Sequence, residues 1–206
     1  MMEEWSINML QLLDTHFSQH DYLLGTPSMA DFALAGPFVA HLGRDPWPQK
    51  HLVAKFAHVQ AWVTRMENTS HHDVPLSTMA HDDIIPASLN PILASICSEY
   101  VPMLEETVNA VKVWHSNDKF AHGASLLPRS TSDIQFPLGK HTFTRAGSPF
   151  FLWKIQLLLD AYRDMSMEDR SALTEWIAAQ PFDAGRVLKL DFPRIEREAL
   201  RVKFAS

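Results

Sequence analysis

The stretch DYLLGTPSMADFAL, residues 21–34, decides the fold of this chain. Ser28 is followed three residues later by Asp31, which is the spacing of a box that starts a helix. The serine hydroxyl can accept from the backbone N–H of Asp31, and the Asp31 carboxylate can reach back to the N–H of Ser28. We predict that Ser28 and Asp31 form a structural N-cap box. We assign the sequence no catalytic, cofactor-binding or metal-binding residue.

The helix that follows this box carries only apolar side chains over residues 32–40. A helix that is apolar on every side is usually buried on every side, so we expect it to be the centre of its domain. Pro37 has no N–H to donate, which predicts a bend at Gly36 and Pro37 before the helix ends near Leu42.

An ordered set of motifs surrounds the box. An amphipathic helix is predicted over residues 5–17, and a Leu-Gly turn precedes the box. A turn with two prolines over residues 43–48 leads to a helix over residues 51–66, which ends in aromatic and basic residues. In this order, the motifs from Trp5 to Glu67 resemble the C-terminal helical domain of glutathione transferases.

The resemblance implies a hydrophobic side of a substrate site, made by the helical domain. In that family an N-terminal thioredoxin-like domain binds glutathione and supplies the Ser, Tyr or Cys that activates its thiol. The residues before Trp5 are too few to form that domain, and Val74-Pro75 does not lie in a βαβ unit that could replace its cis-proline loop. We therefore expect no cofactor in this chain, since glutathione would need the missing domain, and no activity from the chain alone.

Two hypotheses about function follow from the resemblance. The first is the C-terminal helical part of a glutathione S-transferase-like protein, which contributes the hydrophobic wall and lacks the glutathione-activating domain. The alternative is a non-catalytic helical module for protein interactions. The expected partner is a second copy of the chain or a thioredoxin-like domain.

The composition excludes several other classes of protein. The chain has 206 residues and a net charge of −6, and its basic residues are scattered, which makes nucleic acid a poor partner. One cysteine cannot form an internal disulfide and fits a reducing cytoplasm. No apolar run reaches the ~18 residues of a membrane span, and the N-terminus does not read as a signal peptide. We expect a cytoplasmic protein without membrane contact.

The rest of the chain predicts a second region. A polar loop over residues 68–83 separates the transferase-like region, residues 1–70, from a helical extension, residues 84–206, which we predict to pack on it. The extension is predicted to contain one long helix or two over residues 86–116, interrupted at Pro102, and further helices over 149–164 and 167–179. The last of these starts with a second Ser-x-x-Asp pattern, residues 166–169.

Alternation of apolar and polar residues predicts a β-hairpin over residues 134–145. The tail alternates over residues 188–192 and again over 200–204, which favours two further strands, with a helix over 195–202 as the alternative. The predicted fold class is therefore mainly α, a glutathione S-transferase C-terminal-like helical bundle with a helical extension and one or two small β-hairpins.

Four other groups of side chains could carry chemistry. Residues 71–73 (His-His-Asp) and 81–83 (His-Asp-Asp) have the ligand types of a metal site, but we favour a solvated loop because no regular element fixes them. His16 and His20 have chelating spacing, yet we assign them to a helix end. Cys97 is predicted to be a core thiol. Trp62 is predicted to pack, and Arg65 to cap the helix end or to pair with Glu67 or another acid, with a contribution to a ligand cleft as the alternative.

Overall fold

A computed structural model describes residues 2–70, 84–116 and 126–205. The described chain is mainly α-helical with two small antiparallel hairpins, as predicted. It divides into two compact units, Met1–Ile92 and Leu93–Ser206. Most of the loop predicted over residues 68–83 lies outside the described residues, and the packing of residues 84–206 on 1–70 stays a prediction. None of the described helices is long and apolar enough to cross a membrane.

The first unit is built around the pairing of its first and last long helices. Its elements are α1 (Met2–Phe17), α2 (Met29–Pro37) with a π-helical turn (Phe38–Leu42), α3 (Pro46–His51), a 3₁₀ turn (Val53–Lys55), α4 (Ala57–Asn68) and a 3₁₀ turn (Ala87–Leu89). Helix α1 packs on α4, and α2 contacts α4. The buried side chains of α1 are Leu10, Leu13, His16 and Phe17, and those of α4 are Val59, Trp62 and Met66.

At Gly36 and Pro37, where a bend was predicted, the hydrogen bonding of the helix changes from the α pattern to the π pattern. Helix α2 ends at Pro37, and the π-helical turn after it closes with a bond of 2.7 Å from the N–H of Gly43 to the carbonyl oxygen of Phe38. A Cβ atom at position 43 would lie 2.8 Å from that same oxygen. Glycine is required there because the backbone of Phe38 approaches so closely.

The prediction that this helix is buried on every side is wrong. Only Asp31, Ala35 and Phe38 of the helix and its π turn are buried. The exposed large apolar side chains are Met29 (84 %), Phe32 (47 %) and Val39 (41 %). An all-apolar sequence permits burial on every side but does not supply the neighbours, and among the described elements of this unit α2 and its π turn contact mainly α4.

The predicted start of the helix over residues 51–66 is also wrong. The short helix α3 begins within the predicted turn and ends at His51, and α4 begins only at Ala57. Phe56, the residue before it, has no side chain that can cap a helix. Instead Asp14 of α1 accepts hydrogen bonds from the N–H groups of His58 (2.8 Å) and Val59 (3.1 Å). The cap of α4 thus comes from another helix, which local sequence cannot indicate.

The second unit combines helices with two hairpins. Helix α5 (Asn90–His115) begins in the first unit and runs through Pro102, so the chain forms the single long helix of the two alternatives. The elements after it are β1 (Asp133–Leu138), β2 (His141–Ala146), α6 (Pro149–Asp164), α7 (Met167–Ala179), a 3₁₀ helix (Ala184–Lys189), β3 (Ile195–Glu198) and β4 (Arg201–Phe204). The predicted first hairpin, α6, α7 and the last strand are confirmed. Two antiparallel pairs, β1 with β2 and β3 with β4, form the sheets.

The core of the second unit joins α5, α6 and the second hairpin. Leu104 and Val111 of α5, Leu152 of α6 and Phe204 of β4 belong to one buried cluster. Buried Gln156 of α6 completes the contact, because its amide both donates to the carbonyl of Ile195 and accepts from the N–H of Ile195, each at 2.9 Å.

Two expectations for the second unit are corrected. The strand predicted over residues 188–192 is wrong, since the chain there ends a 3₁₀ helix and continues without a paired strand, and the alternative helix over 195–202 is wrong because β3 and β4 lie there. Leu190 and Phe192 pack on the core cluster. Their alternation therefore reflects burial of one side of an irregular segment, not pairing with a strand.

Candidate functional site

Asp31 is the centre of a buried hydrogen-bond network at the start of α2. Its side chain has no exposed surface. One carboxylate oxygen, Oδ2, accepts from the N–H (3.0 Å) and the hydroxyl (2.6 Å) of Ser28, and the hydroxyl accepts in return from the N–H of Asp31 (3.4 Å). The two residues therefore form a capping box with Ser28 as the N-cap of α2.

The second oxygen of Asp31 holds two groups from outside the box. Oδ1 accepts from the N–H of Leu23 (2.9 Å) and from the indole Nε1–H of Trp62 (3.1 Å). The carboxylate thus joins the loop before α2, the N-cap and α4. With four donors on its two oxygens and no contact with solvent, it is placed to hold these segments together.

Trp62 extends this network into an aromatic cluster. Its ring is stacked on Phe17 of α1 with centroids 4.6 Å apart, and Phe38 meets it edge-on at 5.7 Å. The predicted packing of Trp62 is therefore seen, with no part of the side chain exposed. The cluster fixes α1, α4 and the π turn, and so it sets which side of α2 faces outward.

That outward side is a continuous apolar surface, which we name the α2 face. It consists of the exposed residues Met29, Ala30, Phe32, Ala33, Gly36, Pro37, Val39 and Ala40. No charged side chain lies within it, and a Cβ at Gly36 would meet no atom within 4 Å. Contiguous exposed apolar surfaces of this kind usually mark a contact site for a ligand or another protein.

A cleft of about 210 Å³ lies beside the α2 face. Val39 belongs to both, and the cleft continues to Gly43 and to α4. Its apolar lining is Phe38, Val39, Val53 and Val63, and its polar lining is Gln49, Gln60, Thr64 and Glu67. Arg65 pairs with another acid, Asp21, whose Oδ1 lies 3.7 Å from its Nε. It also donates to the carbonyl of Asp21 through Nε (3.2 Å) and Nη2 (2.8 Å).

His16 has a role that the sequence did not indicate. It is fully buried, with Nε2 3.2 Å from the carbonyl oxygen of Tyr22 and Nδ1 2.8 Å from the hydroxyl of Ser88. A carbonyl only accepts, so Nε2 carries the hydrogen and Nδ1 of the neutral ring accepts from Ser88. Burial lowers the pKa of His16, and His20, stacked on it at 4.9 Å, adds to the effect. Both ring nitrogens have protein partners, which leaves neither for a metal.

Cys97 was predicted to be a core thiol, but in the structure it is only half-buried. Burial raises the pKa of its thiol, and the charge of Asp183 raises it further. Since the thiolate is the reactive form, Cys97 is a poor nucleophile at neutral pH.

The two metal-ligand-like groups, residues 71–73 and 81–83, lie outside the described residues. Among the residues that are described, no group of three or more His, Cys, Asp and Glu side chains could hold a metal ion.

Comparison with known proteins supports the first unit alone. Residues 6–69, about a third of the chain, match the family model of the glutathione S-transferase C-terminal domain. No curated protein matches the chain. No solved structure matches it either. The matched segment contains α1, the capping box, α2 and α4, and its helical architecture agrees with that fold. Residues 6–69 are therefore a glutathione S-transferase-like C-terminal domain.

Proposed function

We propose that this chain provides the substrate-side helical part of a glutathione S-transferase-like protein. The α2 face and the cleft beside it would form the hydrophobic wall on which an electrophilic substrate rests. The observation that carries this proposal is the exposed α2 face, an apolar surface directly after the capping box of the family-matched segment. A thioredoxin-like domain would supply the activated glutathione.

The role proposed for this hydrophobic wall is to position the electrophilic substrate. In such a reaction the glutathione thiolate attacks an electrophilic carbon, a carbon–sulfur bond forms, and the leaving group departs with the electron pair. Holding the electrophile against an apolar surface makes this encounter intramolecular. The single cysteine, Cys97, does not replace that thiol, because burial raises its pKa. A cytoplasmic location, supported by the single cysteine, would keep glutathione reduced.

A non-catalytic interaction module is the second candidate, and the shape of the site favours it. The cleft of about 210 Å³ is smaller than most sites for small molecules. The α2 face carries small residues, Ala33, Gly36 and Ala40, which let another backbone approach closely. The partner proposed for this face is a second copy of the chain or a thioredoxin-like domain.

Activity and association assays test both candidates on the 206-residue protein. We expect no conjugation of glutathione to a dinitrobenzene electrophile above a heat-treated control, and turnover well above that control would show that the thiol-activating group lies in this chain. We also expect the protein to bind a hydrophobic dye or to self-associate at tens of micromolar, as judged by fluorescence and sedimentation.

Matched variants locate the surface responsible. Phe32→Gln changes the α2 face, and Met167→Gln changes an exposed apolar residue of α7 that is 89 % exposed. Dye binding or association should fall several-fold in Phe32→Gln and stay unchanged in Met167→Gln. A clean monomer without dye binding would remove the support that the α2 face gives to either function.

Two observations separate the candidates. Loss of self-association in Phe32→Gln would favour the interaction module. An in-frame thioredoxin-like segment in the DNA directly upstream would favour the transferase part.

A further inference from the structure

The second unit contains a pocket outside the family-matched segment. It has a volume of about 280 Å³ and is lined by the segment before β1, the start of α6 and the turn of the second hairpin. Its lining includes the buried side chains of Leu127 and Val202 and the half-buried ring of Phe150. Leu200, in the hairpin turn, is 81 % exposed. The hydrocarbon surface of the pocket is therefore open to a ligand from solvent.

Two guanidinium groups line the same pocket, those of Arg129 and Arg201. Arg201 is fixed in place, because its Nη2 donates to the carbonyl of Leu127 at 2.7 Å. Its Nε is buried and has no hydrogen-bond partner in the described part of the chain. Glu198, the residue opposite Arg201 in the hairpin, pairs with Lys203 at 3.2 Å instead. Among the described residues neither arginine forms an ion pair.

A hydroxyl group completes the polar side of the pocket. Ser148 is the N-cap residue of α6, yet its side chain makes no capping hydrogen bond. Within the described part of the chain, two arginines without an ion pair and a hydroxyl without a capping hydrogen bond thus meet an apolar lining, in a protein whose net charge is −6. A partly buried guanidinium without an anionic partner is unfavourable, and a bound anion would offset that cost.

We propose that this pocket binds a small organic carboxylate with an apolar body, such as a single aromatic ring or a short alkyl chain. A carboxylate matches the planar fork of donors on a guanidinium group. The apolar body would contact Leu127, Phe150 and Val202. The volume lies just below the usual range of small-molecule sites, which limits the body to about one ring.

Titration with benzoate tests the proposal, with benzamide as its uncharged counterpart. The full 206-residue protein is used, at low salt, and binding is followed by calorimetry or by chemical shifts. We expect saturable binding of benzoate and at least about tenfold weaker binding of benzamide, because only benzoate can pair with the arginines. Equal affinity for the two compounds, or no saturable binding of benzoate at millimolar concentration, would overturn the proposal.

Three variants show whether the binding occurs in this pocket. Arg129→Gln removes an exposed cation, and Leu200→Glu adds a negative charge at an exposed position, so both should fold and both should weaken benzoate binding about tenfold or more. Arg145→Gln is the control, since Arg145 lies 5.9 Å over the Phe151 ring and does not line the pocket. The assignment would be contradicted if the affinity for benzoate were unchanged in Arg129→Gln and Leu200→Glu, or if it fell equally in Arg145→Gln.

Discussion

Helices α2 and α7 start with the same Ser-x-x-Asp spacing, one in each unit, and differ in what surrounds the aspartate. In both boxes the serine hydroxyl accepts from the aspartate N–H and donates to its carboxylate, at 3.4 and 2.6 Å for Ser28 and at 3.0 and 2.7 Å for Ser166. Asp31 is buried and accepts two more bonds from distant residues, whereas Asp169 is exposed. The same local motif therefore starts both helices, but only the first holds the tertiary structure.

The contrast extends to all the buried polar groups of the two units. Among the described residues, the first unit buries His16 and Asp31, both titratable, and the second buries Thr107, Thr131 and Gln156, none of which titrates. Burial lowers the pKa of His16, so the stability of the first unit depends on the protonation state of this ring. The first unit should therefore be the more sensitive to substitution of a polar core residue and to acid.

The largest expected effect is the difference between Asp31→Ala and Asp169→Ala. Removing the Asp31 carboxylate leaves the N–H groups of Leu23 and Ser28 and the indole of Trp62 without an acceptor, at about 1–3 kcal/mol for each buried donor. Since such losses are not additive, we expect the free energy of unfolding to fall by about 3–5 kcal/mol. Asp169→Ala should cost at most about 1 kcal/mol, the value of an exposed cap. Chemical denaturation followed by circular dichroism measures both.

Asp31→Asn serves as the control for this comparison, because it keeps the shape of the side chain and one acceptor oxygen. Its loss of stability should lie between those of the two alanine variants. If Asp31→Ala lost only a few tenths of a kcal/mol, as for an ordinary surface change, the buried network would not support the first unit.

The sequence predicted the helix starts at Ser28 and Ser166 and the first hairpin because each depends on residues close together in the chain. It did not predict the two outside donors of Asp31, which lie 8 and 31 residues away. The start of α4 was predicted wrongly for the same reason. Its cap is Asp14, which accepts from the N–H of His58, 44 residues later in the chain. Long-range hydrogen bonds have no local pattern.

Burial was predicted less well than element type. The apolar stretch after the capping box was taken as a centre, but its outward side is exposed as the α2 face. The alternation over residues 188–192 was taken as a strand, but an irregular segment buried on one side produces the same pattern. His16 lies at the end of α1 as predicted, but its burial, with the ring against the hydroxyl of Ser88 far along the chain, was not predicted. Hydrophobicity shows what can be buried, and only the fold shows what is.

Trp62→Phe sharpens the comparison by removing one of the distant donors. The variant keeps an aromatic ring beside Phe17 but loses the Nε1–H bond to Asp31 and part of the buried volume. We expect a loss of about 2–3 kcal/mol, part from the hydrogen bond and part from the cavity. In the background of Asp31→Asn the same substitution should cost less, since the bond that it removes is already weakened. Equal costs in the two backgrounds would mean that the indole and carboxylate are not coupled.

Trp176→Phe provides the matched change in the second unit. Trp176 lies half-buried on α7, the helix of the exposed box, and α7 has no buried residue. Its substitution should cost clearly less than that of Trp62 because it leaves a smaller buried cavity. A cost at least as large would contradict the view that the stability of the protein depends more on the network of the first unit.

The smallest expected effect is a dependence of the first unit on pH that comes from His16. Burial lowers the pKa of His16 below its ordinary value of 6.5, and of the charged groups near it His20 acts in the same direction while Asp31 opposes it. The unfolded chain therefore binds more protons than the folded one as the pH falls through 6.5, so this contribution to stability is complete above that pH and is lost below it.

Asp160 of the second unit has its pKa lowered from 3.8, chiefly by its hydrogen bond to Arg194, and so affects stability only in stronger acid. Between about pH 7.5 and about pH 5.5, the hydrogen-exchange protection factors, which correct for the slower intrinsic exchange in acid, should fall in α1 of the wild type and fall less in α6. His16→Gln, which can donate to Tyr22 and accept from Ser88 without titrating, should reduce this difference, whereas His20→Gln should leave most of it. An unchanged pH dependence in His16→Gln would place the acid sensitivity in another group and weaken the contrast between the two units.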